Sequence, residues 1–224
     1  MKIANFKTKV LSTPARDPLA DSLPDIGAKR AFVTLEMTTD DGIEGIGLTF
    51  VPALNASPLL PALRTAVDAL AELTVGQNPL EIEGIMEGLK DATSGSGPGG
   101  VLTLALAAVD IALWDIKGKA LGQSVSTLLG GYRKRVPTYA SGALMRPVNV
   151  GRMAEIGPML VEKGFRQMKT QMGAEPTAAK EVERIRVLRE AVGDDIDLMC
   201  DINQMWSVNE AIDIGRRVED YHLF

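Results

Sequence analysis

Met168-Lys169-Thr170-Gln171-Met172-Gly173 and Leu198-Met199-Cys200-Asp201-Ile202-Asn203 are the two stretches that decide how this chain is read. Each closes a β-rich run, and a helix-patterned stretch lies between them. Alternation puts Phe165, Gln167, Lys169 and Gln171 on one face of the first run, and Asp197, Met199, Asp201 and Asn203 on one face of the second. On the second run, Ile196, Leu198, Cys200 and Ile202 form the opposite, apolar face, which is suited to packing on helices. A lysine at one strand tip and a carboxylate at the next suit proton abstraction beside a metal ion. A structural ion pair accounts for the same spacing, because such pairs also cluster charges.

Outward from these stretches the pattern alternates. Residues 136–142 predict a strand. Residues 150–163 predict a helix, stopped by Gly164 and weakened in its middle by Gly157-Pro158. The runs 165–172 and 196–203 are strands, and 177–192 is a helix ended by Gly193. A further helix over 207–220 is capped by Ser207, and His222-Leu223-Phe224 opens another strand. Repeated strand–helix units predict a parallel sheet or barrel with ligands at the C-terminal strand ends.

The N-terminal part is organised differently. Runs 2–11 and 30–39 predict strands, and Asp40-Asp41-Gly42 before Ile43 signals a hairpin. Between the two strands, residues 13–29 read as a long loop of the kind that serves as a lid. Ser57 with Pro58 and Asn78 with Pro79 are the expected starts of two helices, over 59–73 and 79–89. The glycine-rich stretch 94–100 follows a helix, not a strand, which argues against a phosphate loop. A helix over 101–121, apolar on more than one side, is expected to be largely buried and to end at Gly122. A short helix over 125–129 then closes at Gly130-Gly131. The expected domains are 1–133 and 134–224.

Composition narrows the classes. The 224 residues are 46% hydrophobic, enough for a sizeable core, and the net charge is −5. No basic stretch points to nucleic acid or to a membrane surface, and aromatics make up only 4% of the chain, which counts against base stacking. Cys200 is the single cysteine, so no intrachain disulfide forms, in keeping with a reducing cytoplasm. His222 is the single histidine, which rules out a multi-histidine metal site within this sequence.

The stretch Ala107-Ala108-Val109-Asp110-Ile111-Ala112-Leu113-Trp114-Asp115-Ile116-Lys117-Gly118-Lys119-Ala120, then Leu128-Leu129-Gly130-Gly131, then the Lys-x-Gln and Asp-x-Asn strand ends, resembles the enolase superfamily. The closest resemblance is to its mandelate racemase and muconate-lactonizing enzyme branch. It implies an α+β capping domain followed by the first three or so βα units of a (β/α)-barrel. It also implies substrate-closing segments at 13–29 and 50–56, and a homo-oligomer in the full-length enzyme. Asp201 matches the first of three acidic ligands of a Mg2+ ion, which would hold a substrate carboxylate and stabilise the enediolate left when the adjacent carbon loses its proton. Asn203 matches a neighbouring position, which implies a contact to the substrate or support of the groups that hold it; bonding to local backbone is the alternative.

On the preceding strand many members have Lys-x-Lys. Here Lys169 keeps the first position, a contact to the substrate carboxylate. Gln171 replaces the second lysine, and glutamine cannot accept a proton at neutral pH. The resemblance therefore implies dehydration of a hydroxy-carboxylate, an acid sugar. The alternatives are a racemase, epimerase or cycloisomerase, or an inactive fragment or interaction protein that retains the fold. His222 does not match a catalytic position. Because Phe224 falls where a strand begins, the chain is expected to be the N-terminal part of a longer enzyme.

Overall fold

Residues 1–14, 29–51, 57–97 and 99–224 are described by a computed structural model of the chain. They separate into two units, one reaching Lys134 and the other starting at Arg135. The segments expected at 13–29 and 50–56 lie mostly outside the described residues.

In the first unit, β1 (Ile3–Pro14), β2 (Lys29–Thr39) and β3 (Glu44–Thr49) form an antiparallel sheet in the order β1-β2-β3. Its β2–β3 turn follows from sequence. Gly42 takes φ +87°, and Thr39 exchanges backbone bonds with Gly42 and Ile43. Helices α1 (Leu60–Glu72), α2 (Ile82–Ala92), α3 (Gly100–Leu121) and the short α4 (Val125–Leu128) follow. Leu35 and Met37 of the sheet, Leu63 and Val67 of α1, Ile85 of α2, and Leu113 and Ile116 of α3 meet in one core.

The contact between α3 and β3 is unusually close. A Cβ on Gly47 would lie 1.9 Å from the Ala108 carbonyl oxygen, and one on Gly45 would lie 2.4 Å from that of Ala112. Only glycine permits this approach. The helix side is matched to it by the buried small residues Ala105, Ala108 and Ala112. At the same edge, Ile46 N–H donates to Asp115 Oδ2 at 2.8 Å, and Lys119 Nζ donates to the Glu44 carbonyl at 2.7 Å. Asp115 and Lys119, one helical turn apart, also bond each other at 2.7 Å.

Two helix starts differ from expectation. Ser57 Oγ accepts from Leu59 N–H at 3.2 Å and its carbonyl from Leu60 N–H at 3.0 Å, so Ser57 makes a turn ahead of α1 and does not cap it. Pro61 occupies the first helical turn instead of Pro58. Asn78 likewise spends its Oδ1 on Leu80 N–H at 3.2 Å, and α2 starts only at Ile82. Helix α3 is also less enclosed than its composition implies, since Ile111 and Leu121 are 46% and 49% exposed.

The second unit contains α5 (Val150–Glu162), β4 (Gln167–Gln171), α6 (Ala178–Val192), β5 (Asp197–Asp201) and α7 (Val208–Arg217). Strands β4 and β5 pair in parallel, with Gln167 opposite Asp197 and Gln171 opposite Asp201. Of the expected strand at 136–142 only Ala140 pairs, by a parallel bridge to Met168. Pro137 has no N–H to give a ladder, and Val136 is 74% exposed. On the far side Leu223 bridges Leu198, so the spatial order is Ala140, β4, β5, Leu223. Helix α5 runs through Pro158, and the bare Gly157 seats against Leu188 and Val192 of α6.

In this unit side-chain oxygens cap all three α-helices: Asn149 on α5, Thr177 on α6, and Ser207 with Glu210 in a reciprocal box on α7. Met153, Leu160, Met168, Ile185, Leu188 and Leu198 fill the core. One packing expectation fails, because Cys200 is exposed instead of covered by helix. Ile214 is the one buried residue of α7. No helix of the described residues is long and apolar enough to cross a membrane.

Gly47→Ala is expected to lower stability by about 3 kcal/mol, because the helix backbone cannot retreat from the new methyl group. Gly88→Ala on α2 meets nothing within 4 Å and is expected to be neutral or to add roughly 0.5–1 kcal/mol. Urea denaturation midpoints of the two variants against the parent check both.

Candidate active site at the strand tips

The parallel register sets the geometry. Side chains alternate along β4 and β5, and the pairing brings Lys169 and Asp201 to one face of adjacent strand ends. Met168 and Thr170 turn the other way and are fully buried. Lys169 Nζ donates to Asp201 Oδ2 at 3.0 Å and stands 5.2 Å from the centre of the Tyr139 ring. The two side chains are 21% and 30% exposed, so the pair is reachable from solvent.

Beyond β5 the chain leaves extended geometry. Asn203 and Gln204 have φ of +42° and +64°, unfavourable for residues with a side chain. Local bonds hold this turn. Asn203 N–H donates to Asp201 Oδ1 at 2.9 Å, and Met205 N–H donates to the Ile202 carbonyl at 2.9 Å. Arg146, just past the Ala140 bridge, donates Nε to the Met172 carbonyl at 2.6 Å and Nη2 to the Ile202 carbonyl at 2.7 Å. One guanidinium thus ties the ends of both strands.

Arg146 also fixes the Asn203 amide. A guanidinium can only donate, so the Asn203 oxygen faces it, at 3.3 Å from Nη2. In that orientation the same oxygen accepts from Gln171 Nε2 at 3.2 Å, and the Asn203 amide nitrogen donates to Asp201 Oδ1 at 3.1 Å. All four residues singled out in the sequence, Lys169, Gln171, Asp201 and Asn203, therefore meet in one hydrogen-bonded cluster.

Charge states follow from these contacts. The Asn203 backbone N–H, and then Lys169, hold the Asp201 carboxyl below the usual carboxylate range. Burial works against the charged form of Lys169, but hydrogen bonds to Asp201 and Tyr139 outweigh it and raise the ammonium above its ordinary value. Both groups are ionised at neutral pH.

Arginines buttress the cluster from outside. Arg184 is 1% exposed and donates to the carbonyls of Met145 and Val148 at 2.7 Å, and to Thr170 Oγ1 at 3.3 Å. This holds the segment carrying Arg146 against β4. Glu181, also buried, accepts from the N–H groups of Gly173 and Glu175 through Oε1 and so shapes the loop after β4. His222 stands apart from the cluster's hydrogen bonds; its carbonyl accepts from Arg189 at 3.0 Å. Tyr139, Arg146 and Arg184 carry no periodic signal. Only a search for arginines near predicted strand ends would have raised Arg146.

Magnesium takes hard oxygen donors, and Asp201 offers an ionised carboxylate at a strand tip. Among the described residues no three His, Cys, Asp or Glu side chains are grouped to hold a metal. These residues fit the ion as one ligand and do not form a complete cage.

The family described as mandelate racemase / muconate lactonizing enzyme, N-terminal domain, matches residues 6–130, and an enolase C-terminal domain-like family matches residues 152–224. This chain belongs to the mandelate racemase and muconate lactonizing enzyme branch of the enolase superfamily. It is 35% identical to D-galactarolactone cycloisomerase of Agrobacterium fabrum, over 100% of this chain and 57% of the relative. To L-talarate/galactarate dehydratase of Salmonella typhimurium it is 29% identical, over 99% and 56% of the two chains. A racemase from Streptomyces coelicolor A3(2), solved with bound magnesium, superposes with a TM-score of 0.83 at 31% identity, over 99% of this chain and 60% of that one. The chain thus spans little more than half the length of the relatives it matches, and it carries an α+β capping domain followed by part of a barrel. Its relatives include dehydratases, cycloisomerases, racemases and epimerases.

Lys169→Met is expected to raise the Asp201 pKa part of the way to its ordinary value, because the Asn203 N–H remains. Carboxyl 13C NMR titration of the protein without divalent metal reads this. A depressed Asp201 pKa stabilises the fold above the unfolded carboxylate value, about 3.9. That contribution is lost as pH falls through the folded value, so the variant should show a smaller loss of stability on acidification.

Proposed function

We propose that this chain is the N-terminal part of a magnesium-dependent enzyme that removes the proton next to a carboxylate, and that its reaction is the dehydration of an acid sugar. The observation that carries the proposal is the ionised Lys169–Asp201 pair, bonded at 3.0 Å across adjacent strand tips. Residues 1–133 are proposed as the capping domain and 134–224 as the partial barrel. Relatives solved with magnesium support the choice of ion.

When bound, the ion supplies positive charge against the substrate carboxylate. Asp201 would contribute one oxygen to hold it. Lys169 would leave Asp201 for the substrate carboxylate and offset its charge as the neighbouring carbon loses a proton. Gln171 and Asn203 would orient the substrate by hydrogen bonds. Since Gln171 takes no proton, the base would act from the opposite face, on barrel strands supplied by the rest of the enzyme. The departing hydroxide on the next carbon would then take up a proton and leave as water.

A cycloisomerase is the second candidate, because a relative of that activity is 35% identical. It shares the proton step but loses no water. The partner in either case is a small hydroxy-carboxylate, handled by a homo-oligomeric cytoplasmic enzyme.

The full-length enzyme, incubated with a panel of acid sugars and their lactones in D2O with Mg2+, is expected to release a keto-acid lighter by one water. Lys169→Met should lower kcat/KM by roughly 100-fold or more. An isomeric product without water loss would replace dehydration with cycloisomerisation. Folded enzyme that neither exchanges the α-proton nor loses water across the panel would sink both.

A further inference from the structure

We propose that Arg146, Asn203 and Gln171 form a relay of fixed hydrogen-bond polarity, which presents the Gln171 Oε1 atom as an acceptor selective for a substrate hydroxyl. The ligand part rests on the acid-sugar reading above; the relay itself does not.

An amide has two ends of similar shape and opposite polarity, so a lone glutamine at a binding site can turn either end to a ligand. Gln171 lacks that freedom. Arg146 is always charged and has no acceptor, and its Nη2 lies 3.3 Å from the Asn203 side chain, so that side chain must present oxygen. The oxygen also lies 3.2 Å from the end of Gln171, which must therefore present its NH2 group. Oε1 is left over, and among the described residues nothing donates to it. The far end of the Asn203 amide is checked independently. Its nitrogen meets Asp201 Oδ1 at 3.1 Å, where only a donor is tolerated. Acceptor and donor demands at the two ends of Asn203 thus agree.

Arg146 is itself immobilised. Two of its donors are bound to the carbonyls of Met172 and Ile202, one from each strand end. The relay therefore starts from backbone positions and ends on the same strand face as Lys169. An acceptor without a protein partner, on a half-buried glutamine one alternation away from the Lys169 ammonium, suits a molecule with a hydroxyl close to its carboxylate. It disfavours a ligand that offers a second carboxylate or carbonyl oxygen at that point, since two acceptors would face each other.

The relay is read first without metal or ligand, from the side-chain NH2 signals of Gln171 and Asn203 in 1H–15N spectra. In the parent protein Gln171 Nε2 protons should exchange slowly with solvent. Arg146→Met should remove that protection, and Asn203→Leu should remove it too. Protection that survives both Arg146→Met and Asn203→Leu overturns the relay. If Arg146→Met does not fold, Asn203→Leu decides it.

The ligand part is read in the full-length enzyme with Mg2+, by calorimetric titration of galactarate and of adipate, the same diacid without hydroxyls. The parent should prefer galactarate, and Gln171→Leu should cut that preference by about 2- to 13-fold, the worth of one hydrogen bond, while adipate binding is kept. An unchanged preference overturns the role of Oε1. Failure of galactarate to bind the parent, with the spectra as expected, overturns the acid-sugar reading and leaves the relay standing.

Discussion

The parallel pairing of β4 with β5, Gln171 opposite Asp201, is the constraint on which the barrel mouth depends. Side chains alternate with a strict period of two, so a slip of one residue would move Asp201 to the helix side and bring Cys200 to the face of Lys169. Nothing in the strand backbones alone forbids that slip. The buried face does. Met168, Thr170 and Leu198 are all fully buried, and a slip would put Asp197 or Met199 in the place of Leu198 and turn Asp201 toward the buried face. The packed face of the sheet thereby fixes the chemistry of the open one.

Arginine supplies the second layer of control. Arg146, Arg184 and Arg189 each donate to several main-chain carbonyls that no strand or helix ladder uses. Loops that follow strand ends leave such oxygens behind, and a buried one without a partner costs about 1–3 kcal/mol. A guanidinium satisfies several at once from a single planar group. Its charge is then spread over carbonyl dipoles, which leaves the carboxylate of Asp201 for Lys169 and the Asn203 amide groups.

How much of this was legible in the sequence depended on periodicity. Lys169 and Asp201 could be placed on one face because β-strands alternate, and α6 could be bounded because Thr177 and Gly193 are chemically suited to its two ends. Gln171 could be set apart from Lys169 because an amide does not take a proton. The starts of α1 and α2 were not legible, since Ser57 and Asn78 can make a turn as readily as a cap, and both make the turn. Arg146 was invisible because a side chain in a loop obeys no period, and its two carbonyl partners lie 26 and 56 residues along the chain. The left-handed turn at Asn203 was hidden for a related reason. Asp201 and Arg146, not a glycine, hold it in place.

The close seat of α3 on β3 reaches beyond packing. A sheet edge is a template, because its outward N–H and C=O groups invite another strand. On β3 two of those groups are occupied, Ile46 N–H by Asp115 and the Glu44 carbonyl by Lys119. The helix acts as a surrogate strand through two side chains one turn apart. Strand addition along this edge would have to displace both bonds, which makes the β3 edge a poorer template than a bare one. Asp115 and Lys119, which lie in the stretch that carries the family resemblance, thus also guard part of an edge against misassembly.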